Sequence, residues 1–510
     1  MQRTNIYIVL LLFKVSLDLG MSTKDEKVHL LSGSTSSRDG TPKSSPIKHL
    51  YTENTKKLGD ASSIGSSASE LSDQEVTSPK KEASKPHIKR WLMLAIFSLN
   101  SMMNACLFIS VAPINDLVSK YWDVEPHFID WLPNIYFFLY TLLALPAAFS
   151  MGFFGLRPLL LLGSAFNAVA TCLRFGGTKQ NGFIFVLIGQ LVAALGYCTI
   201  LQVPARLSAI WFPVAERAMA TSIGAFMNIF GVSLGFLMCT QMVQETDDLD
   251  VIGKNIHDLF LVEMVICLLL LILVFFLYDE KPPMPVDADT EEEENDIYAF
   301  LKSIKYLALD MNFNLMAQGY AIYFALFNVF SILLNTMVVS KYSSGFEKDI
   351  GWMGFSCDVA SIPSAFVLGM LLDKFRHYRF TAVFLNFSAL LVMLTFMLVL
   401  RYTNSFLGIF ILYVIYGVVG IPYFCCGLEQ AAVLTSPIPE MTSSAVILVL
   451  GNLYGFVLVL VLGYCANSGH IDLAGYIMVG LYCISTFLAY VTKMKNIQGD
   501  RLIEEEDDDV

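Results

Sequence analysis

The chain has 510 residues, 55% of them hydrophobic and only 15% charged, with 38 phenylalanines. No water-soluble fold of this length can bury that much apolar surface. The net charge of −12 speaks against nucleic acid as a partner and names no substrate, because the acid is gathered in tails and loops: Glu245 to Asp250, the run EEEEND ahead of Ile297, and EEEDDD near the end. The ten cysteines, Cys425-Cys426 included, fall in apolar segments without CxxC or Cys/His spacing. They read as small buried hydrophobes rather than disulfides or metal ligands, so neither metal nor cofactor is expected.

Residues 1–20 begin like a signal peptide, but Lys14 interrupts a short apolar run and no small-x-small cleavage site follows. Met21 opens what reads as an ordinary cytosolic N-terminus, so a start at Met21 or a dispensable first segment is expected. From Ser32 to about Pro86 the chain is Ser/Lys/Thr/Glu-rich without periodicity and reads as disordered. Ahead of that stretch, Glu26 with Leu30 and Leu31 forms an acidic dileucine pattern that resembles endolysosomal sorting signals and would engage a sorting adaptor. It puts a lysosomal membrane beside the plasma membrane as a destination.

From Trp91 onward, twelve segments are long and apolar enough to span hydrocarbon: near 91–118, 128–153, 158–176, 182–210, 218–242, 259–278, 313–338, 350–372, 380–400, 406–434, 443–465 and 473–492. Arg157, Arg217, Lys302, Lys305, Lys374, Arg376 and Arg379 collect in loops of one side, which the positive-inside bias makes cytosolic, with both termini. An acidic linker follows the sixth segment. Beyond it Ile297, Leu301, Ile304, Ala308 and Met311 recur at helical spacing, an amphipathic helix expected to lie along the membrane face and bridge two halves. The expected organisation is a disordered cytosolic N-terminus (1–88), a six-helix half (89–278), the linker (279–312), a second six-helix half (313–492) and an acidic cytosolic tail (493–510). The fold class is all-α integral membrane, monomeric in its bilayer.

The two halves echo each other. Pro213, Glu216, Asn228, Phe230 and Gly231 match Pro437, Glu440, Asn452, Tyr454 and Gly455 at a constant offset. At nearly the same spacing Ser119-Lys120-Tyr121 matches Ser340-Lys341-Tyr342, and Trp131 matches Trp352. Self-similarity over half a hydrophobic chain is the signature of transporters built from two related halves.

Charges inside spans are costly and therefore functional candidates. Asp358 lies in the middle of the eighth segment, with no obvious counter-ion and with Pro363 a turn further on, where the helix can bend. Hydrocarbon disfavours an unpaired carboxylate. Asp358 would take up a proton in each cycle or pair with a cationic substrate, against the plainer role of a protonated hydrogen-bond donor to a neighbouring helix. Asn104, Gln190, Tyr197, Asn228, Gln318, Asn328 and Asn452 lie at comparable depth, where interhelical bonding is the usual role. Gly231 and Gly235 form a GxxxG that would bring two helices close. A charge network of Arg157, Arg206, Glu216, Arg217, Asp373, Lys374, Arg376, Glu429 and Glu440 at equivalent turns is expected to close a cytosolic gate. No Walker loop, dinucleotide fingerprint, HExxH or Ser/His/Asp set is present. That leaves gradient-driven transport as the leading function and excludes an enzyme. A non-transporting receptor or sensor on the same scaffold is the second reading.

Twelve spans, the repeat, and Gly369 followed by Asp373-Lys374 resemble the major facilitator superfamily. More narrowly, N-D-L-V (115–118), F-I-D-W-L (128–132), G-L-R (155–157), G-Q-L (189–191), P-A-R-L-S-A-I-W-F (204–212), E-R-A-M-A-T-S-I-G (216–224), L-L-N-T-M-V (333–338), G-L-E-Q (427–430) and P-I-P-E (437–440) resemble the feline leukaemia virus subgroup C receptor-related family, or solute carrier family 49. Trp352 and P-I-P-E lean toward its lysosomal branch, the disrupted in renal carcinoma protein 2 type, whereas Ile114-Asn115 and L-L-N-T-M-V lean toward the receptor-related branch. The resemblance implies alternating access and a small-molecule substrate such as choline, ethanolamine, haem or a vitamin. In choline-carrying members a Trp and a Tyr cage the quaternary ammonium by cation–π contact, and two Gln complete the site. The corresponding positions here carry Phe108, Asn328, Tyr197 and Asn452, so the seat is rebuilt. Together with Asn104 and Asp358 these are the expected substrate-binding residues, Asp358 doubling as the proton-coupling candidate.

Overall fold

The computed structural model describes residues 88–493 apart from 202, 245, 247, 283–296, 343–344, 376, 437 and 439. Glu26, Leu30 and Leu31, the acidic run of the linker and the acidic tail lie outside the described residues. Among the described residues there is no strand, and twelve helices are long and apolar enough to cross a membrane. Spans 1 to 12 are Lys89–Trp122, Pro126–Ala147, Leu156–Gly176, Phe183–Ile200, Met219–Met242, Leu249–Leu277, Met311–Tyr342, Glu347–Leu372, Tyr378–Tyr402, Phe406–Thr435, Thr442–Asn467 and Ile471–Val491. All belong to one compact unit.

Two boundaries differ from the sequence-based expectation. Hydropathy predicts span 4 unbroken to 210, but its helix stops at Ile200 and a separate helix, Val203–Trp211, follows. Pro204 is the cause: it has no N–H for the ladder, and its ring would meet the carbonyl four residues back. Span 6 begins at Leu249, ten residues earlier than expected, capped by Asp248, whose side chain accepts from the Asp250 N–H. Its first turns are amphipathic, with Ile252 and Ile256 buried between Asp250, Lys254 and Asp258. That mixed polarity hides the start from a hydropathy reading.

The linker helix, Ile297–Leu309, buries Ile304 and Leu307 and packs against spans 7 and 11, both of the second half. Asp310 then caps span 7, accepting from the Asn312 and Phe313 N–H groups at 2.8 and 3.1 Å.

Packing repeats with the sequence. Within spans 1–6, span 1 lies on span 5, span 2 on span 4, and span 3 on spans 4 and 6. Within spans 7–12 the same pairs return six spans on: 7 with 11, 8 with 10, and 9 with 10 and 12. Gly231 makes the first of these close, since a Cβ there would sit 2.1 Å from the Met102 carbonyl oxygen. Two seams join the halves, span 2 along span 11 and span 5 along span 8. The bundle has a linker end, which carries the linker, and a far end opposite to it.

Candidate substrate site

Mid-depth in the first half, aromatic rings from three spans converge. Phe108 of span 1 meets Tyr136 and Phe137 of span 2 at 5.2 and 5.7 Å, and Tyr197 of span 4 meets Tyr136 and Tyr140 at 5.5 Å each. Edge-to-face and tilted pairs of this kind leave ring faces free for other partners. The second half adds Tyr320, Phe324 and Phe327 of span 7, stacked against Tyr423, Phe424 and Tyr416 of span 10. Tyr140 and Tyr320 belong to one continuous cluster of buried side chains, against which Phe108 and Tyr197 pack, so the two aromatic groups share a core that spans the boundary between the halves. Phe108, Tyr197, Phe324 and Asn328 keep part of their surface accessible.

Phe108 and Tyr197 thus both pack against Tyr136. Asn328 donates to the Phe324 carbonyl at 2.8 Å and Asn452 to the Leu448 carbonyl at 2.8 Å, each within its own helix. The Asn452 Oδ1 is buried and has no partner, an acceptor left over on span 11. Asn104 has a different place. It donates to Asn167 Oδ1 at 2.7 Å and to the Ala193 carbonyl at 3.0 Å, tying span 1 to spans 3 and 4. Asn228 donates to Ser101 on span 1, so the duplicated pair Asn228 and Asn452 does not share its partners.

Asp358 lies on the face of span 8 that carries Gly351, Gly354, Ser361 and Ala365 at helical spacing. A Cβ at Gly351 or Gly354 would strike Thr240 or Phe236 of span 5, so this face forms the 5/8 seam. The carboxyl is buried, its Oδ2 has no partner, and the Tyr413 hydroxyl of span 10 is within electrostatic reach.

At the linker end, Arg157 donates to the Phe275 carbonyl at 3.0 Å. Its backbone N–H and that of Leu156 bond the Glu280 carboxylate at 2.6 and 2.7 Å, fastening span 3 to the end of span 6. Glu216 pairs with Arg90 at 3.0 Å, also within the first half, and Arg217 Nε donates to the Phe212 carbonyl. Arg206 is half-buried on the helix after span 4; Lys374 and Glu429 are exposed. The Asp373 and Glu440 side chains and Arg376 lie outside the described residues. At the far end, bonds cross between the halves where the charge pattern of the sequence gives no hint of them. Asp130 accepts from Asn115 on span 1 and from Asn467 on span 11, both at 2.8 Å, and Asp116 accepts from Asn335 on span 7 at 2.9 Å. Asn115, Asp116, Asp130 and Asn335 sit in the N-D-L-V, F-I-D-W-L and L-L-N-T-M-V segments, where polar groups inside apolar runs are the available signal; Asn467 lies in none of them. A second omission is Arg174 with Glu263, a fully buried pair at 3.3 Å. Arg174 thus places a cation in the bundle interior.

A repeated twelve-helix bundle whose halves meet along two seams, with an aromatic site at mid-depth and polar bonds closing one end, has the architecture of an alternating-access transporter. The chain belongs to the Major Facilitator Superfamily, whose family model matches residues 91–457. It is 28% identical over 407 residues to the choline/ethanolamine transporter FLVCR2 of Homo sapiens, covering 77% of this chain and 76% of that one. To the choline/ethanolamine transporter FLVCR1 of Felis catus it is 29% identical over 407 residues, covering 77% and 71%. Among solved structures, a bacterial homologue of the human lysosomal transporter Spinster, inward-facing and unoccupied, superposes with a TM-score of 0.64 at 14% identity, over 80% of this chain and 98% of that one. The protein is an integral multi-pass membrane transporter.

Proposed function

We propose that the protein carries a small cationic metabolite of the choline or ethanolamine type by alternating access between its halves. One observation carries the reading: Phe108, Tyr136, Tyr140 and Tyr197 converge from three spans, and Tyr140 shares a buried cluster with Tyr320 of the other half. Ring faces attract an ammonium by about 0.5–2 kcal/mol each when water is excluded, and a cluster of them suits a soft organic cation better than a carboxylate or a sugar. The names of the relatives agree with this chemistry. Asp358 supplies the coupling charge, taking a proton or balancing the substrate. The basic residues of the linker end favour a cytosolic position for that end.

The test is uptake of radiolabelled choline and ethanolamine by proteoliposomes at two pH values. Saturable uptake by the wild type, with KM raised in Phe108→Ala and Tyr197→Ala, is the expected result. Uptake indifferent to both variants would remove the aromatic seat from the account.

A further inference from the structure

Span 1 does not run straight to the far end. Its helix stops at Ile109, a single 3₁₀ turn follows over Ala112–Ile114, and a second helix runs Asn115–Trp122. The helix ends at Ile109, so its last carbonyls have no partners further along the helix, and Pro113, without an N–H, cannot serve the Ile109 carbonyl either. Two of these carbonyls, of Leu107 and Phe108, are taken by side chains from other helices. Gln190 of span 4 donates Nε2 to the Leu107 carbonyl at 3.0 Å and to that of Phe108 at 3.5 Å. Arg174, in the last turn of span 3, donates Nη1 to the Leu107 carbonyl at 3.4 Å and Nη2 to Ser110 Oγ at 2.8 Å.

The guanidinium is itself held on two sides. It pairs with Glu263 of span 6, as fully buried as itself, and lies 4.5 Å over the Phe260 ring. Desolvating two charges is expensive, and an apolar pair of similar volume is often at least as stable. A pair kept in such a place has a task that apolar side chains cannot perform. Here the donors point at a helix joint next to Phe108. Tyr136 is within electrostatic reach of the same pair, with a buried hydroxyl that has no partner, and its ring touches both Phe108 and Tyr197.

We propose that Arg174 and Gln190, with Glu263 holding the guanidinium, are positioning residues that fasten the joint of span 1 and so set the Phe108 ring against a cationic substrate. The proposal rests on the reading of Phe108 as part of the seat.

The experiment uses the full chain in proteoliposomes with radiolabelled choline, alongside hydrogen exchange of peptides covering residues 105–112. Gln190→Leu removes the carbonyl donor without touching a charge. The double variant Arg174→Met/Glu263→Leu removes both charges together, so neither is left buried alone. Each is expected to raise KM roughly three- to tenfold, about the worth of an ordinary hydrogen bond, with Vmax little changed, and to speed exchange across the joint. Gln190→Leu decides the matter should the double variant fail to fold. Unchanged KM and unchanged exchange, or a fall in Vmax at constant KM, overturns the proposal. Phe108→Ala separates the two ideas: faster exchange in Gln190→Leu with KM indifferent to Phe108→Ala overturns the seat and leaves the fastening of the joint standing.

Discussion

The 5/8 seam gives the sharpest quantitative prediction. A Cβ at Gly354 would lie 2.3 Å from Phe236 Cγ, and one at Gly351 would lie 1.8 Å from Thr240 Oγ1. Both are well inside contact distance, and Phe236 and Thr240 are themselves buried. Gly354→Ala therefore overpacks the seam in the state with the far end closed, by about 1–3 kcal/mol. In a state where the halves part at that end the added methyl meets nothing new, so the cost falls on one side of the equilibrium. The closed-to-open ratio should drop between about fivefold and about 150-fold. Gly369→Ala is the control: it lies on the same span at the linker end, and a Cβ there would meet nothing within 4 Å. Hydrogen exchange of the full chain in liposomes reads the shift. Peptides at the far ends of spans 2, 5, 8 and 11 should exchange faster in Gly354→Ala and as in wild type in Gly369→Ala. Equal behaviour of the two variants would refute the view that these glycines close the far end.

Three further outcomes are expected. Asn467→Ala removes one charge-assisted bond from Asp130, worth about 1.5–3 kcal/mol, and should open the far end by the same exchange readout; because it acts on the other seam, its effect should add to that of Gly354→Ala. Asp358→Asn should flatten the pH dependence of choline uptake, and a variant that kept both transport and its pH profile would dispose of a proton role. Glu280→Ala strips two backbone bonds from the start of span 3, which should destabilise the protein by roughly 1–2 kcal/mol, seen as a lower thermal unfolding midpoint with KM unchanged.

The frame was legible in the sequence because hydrophobic length and an internal repeat are properties of long stretches. Spans 2 and 8 begin at Pro126 and Glu347, separated as Ser119 is from Ser340. What the repeat could not give was the use of each position. Trp131 packs against Phe456 across the 2/11 seam at 6.0 Å, whereas its counterpart Trp352 is 46% exposed and, among the described rings, meets Phe355 of its own helix. Arg174 and Glu263 were missed for a physical reason: a buried ion pair is a property of two helices, and neither partner carries a local motif. The charge network expected at a cytosolic gate rests on charges in turns, and the Asp373 and Glu440 side chains and Arg376 lie outside the described residues. The bonds seen to join the halves at the far end are half-buried carboxylate-to-amide contacts, made by residues that look ordinary in a linear reading.

On the proposed reading of Asp358, the unequal parts of the repeat account for how the cycle is driven. At the offset that relates Trp131 to Trp352, Asp130 corresponds to Gly351 and Asp358 to Phe137. Each seam thus holds one carboxylate where its twin holds none. Asp130 has a partner for each oxygen in the state seen here, and so stabilises the closed far end. Asp358 has a buried oxygen with no partner in that state, and an unpaired buried carboxylate penalises the arrangement that buries it. A proton or a cation at Asp358 removes that penalty and shifts the population toward closure of the far end, by as much as it binds this state better than the other. Neutralising Asp358 should therefore act opposite in sign to the glycine variant. Asp358→Asn removes the charge without any ligand, so its far-end peptides should exchange more slowly than in wild type, while those of Gly354→Ala exchange faster. A slower rate in neither variant, or a faster one in both, would leave Asp358 without a part in the conformational balance.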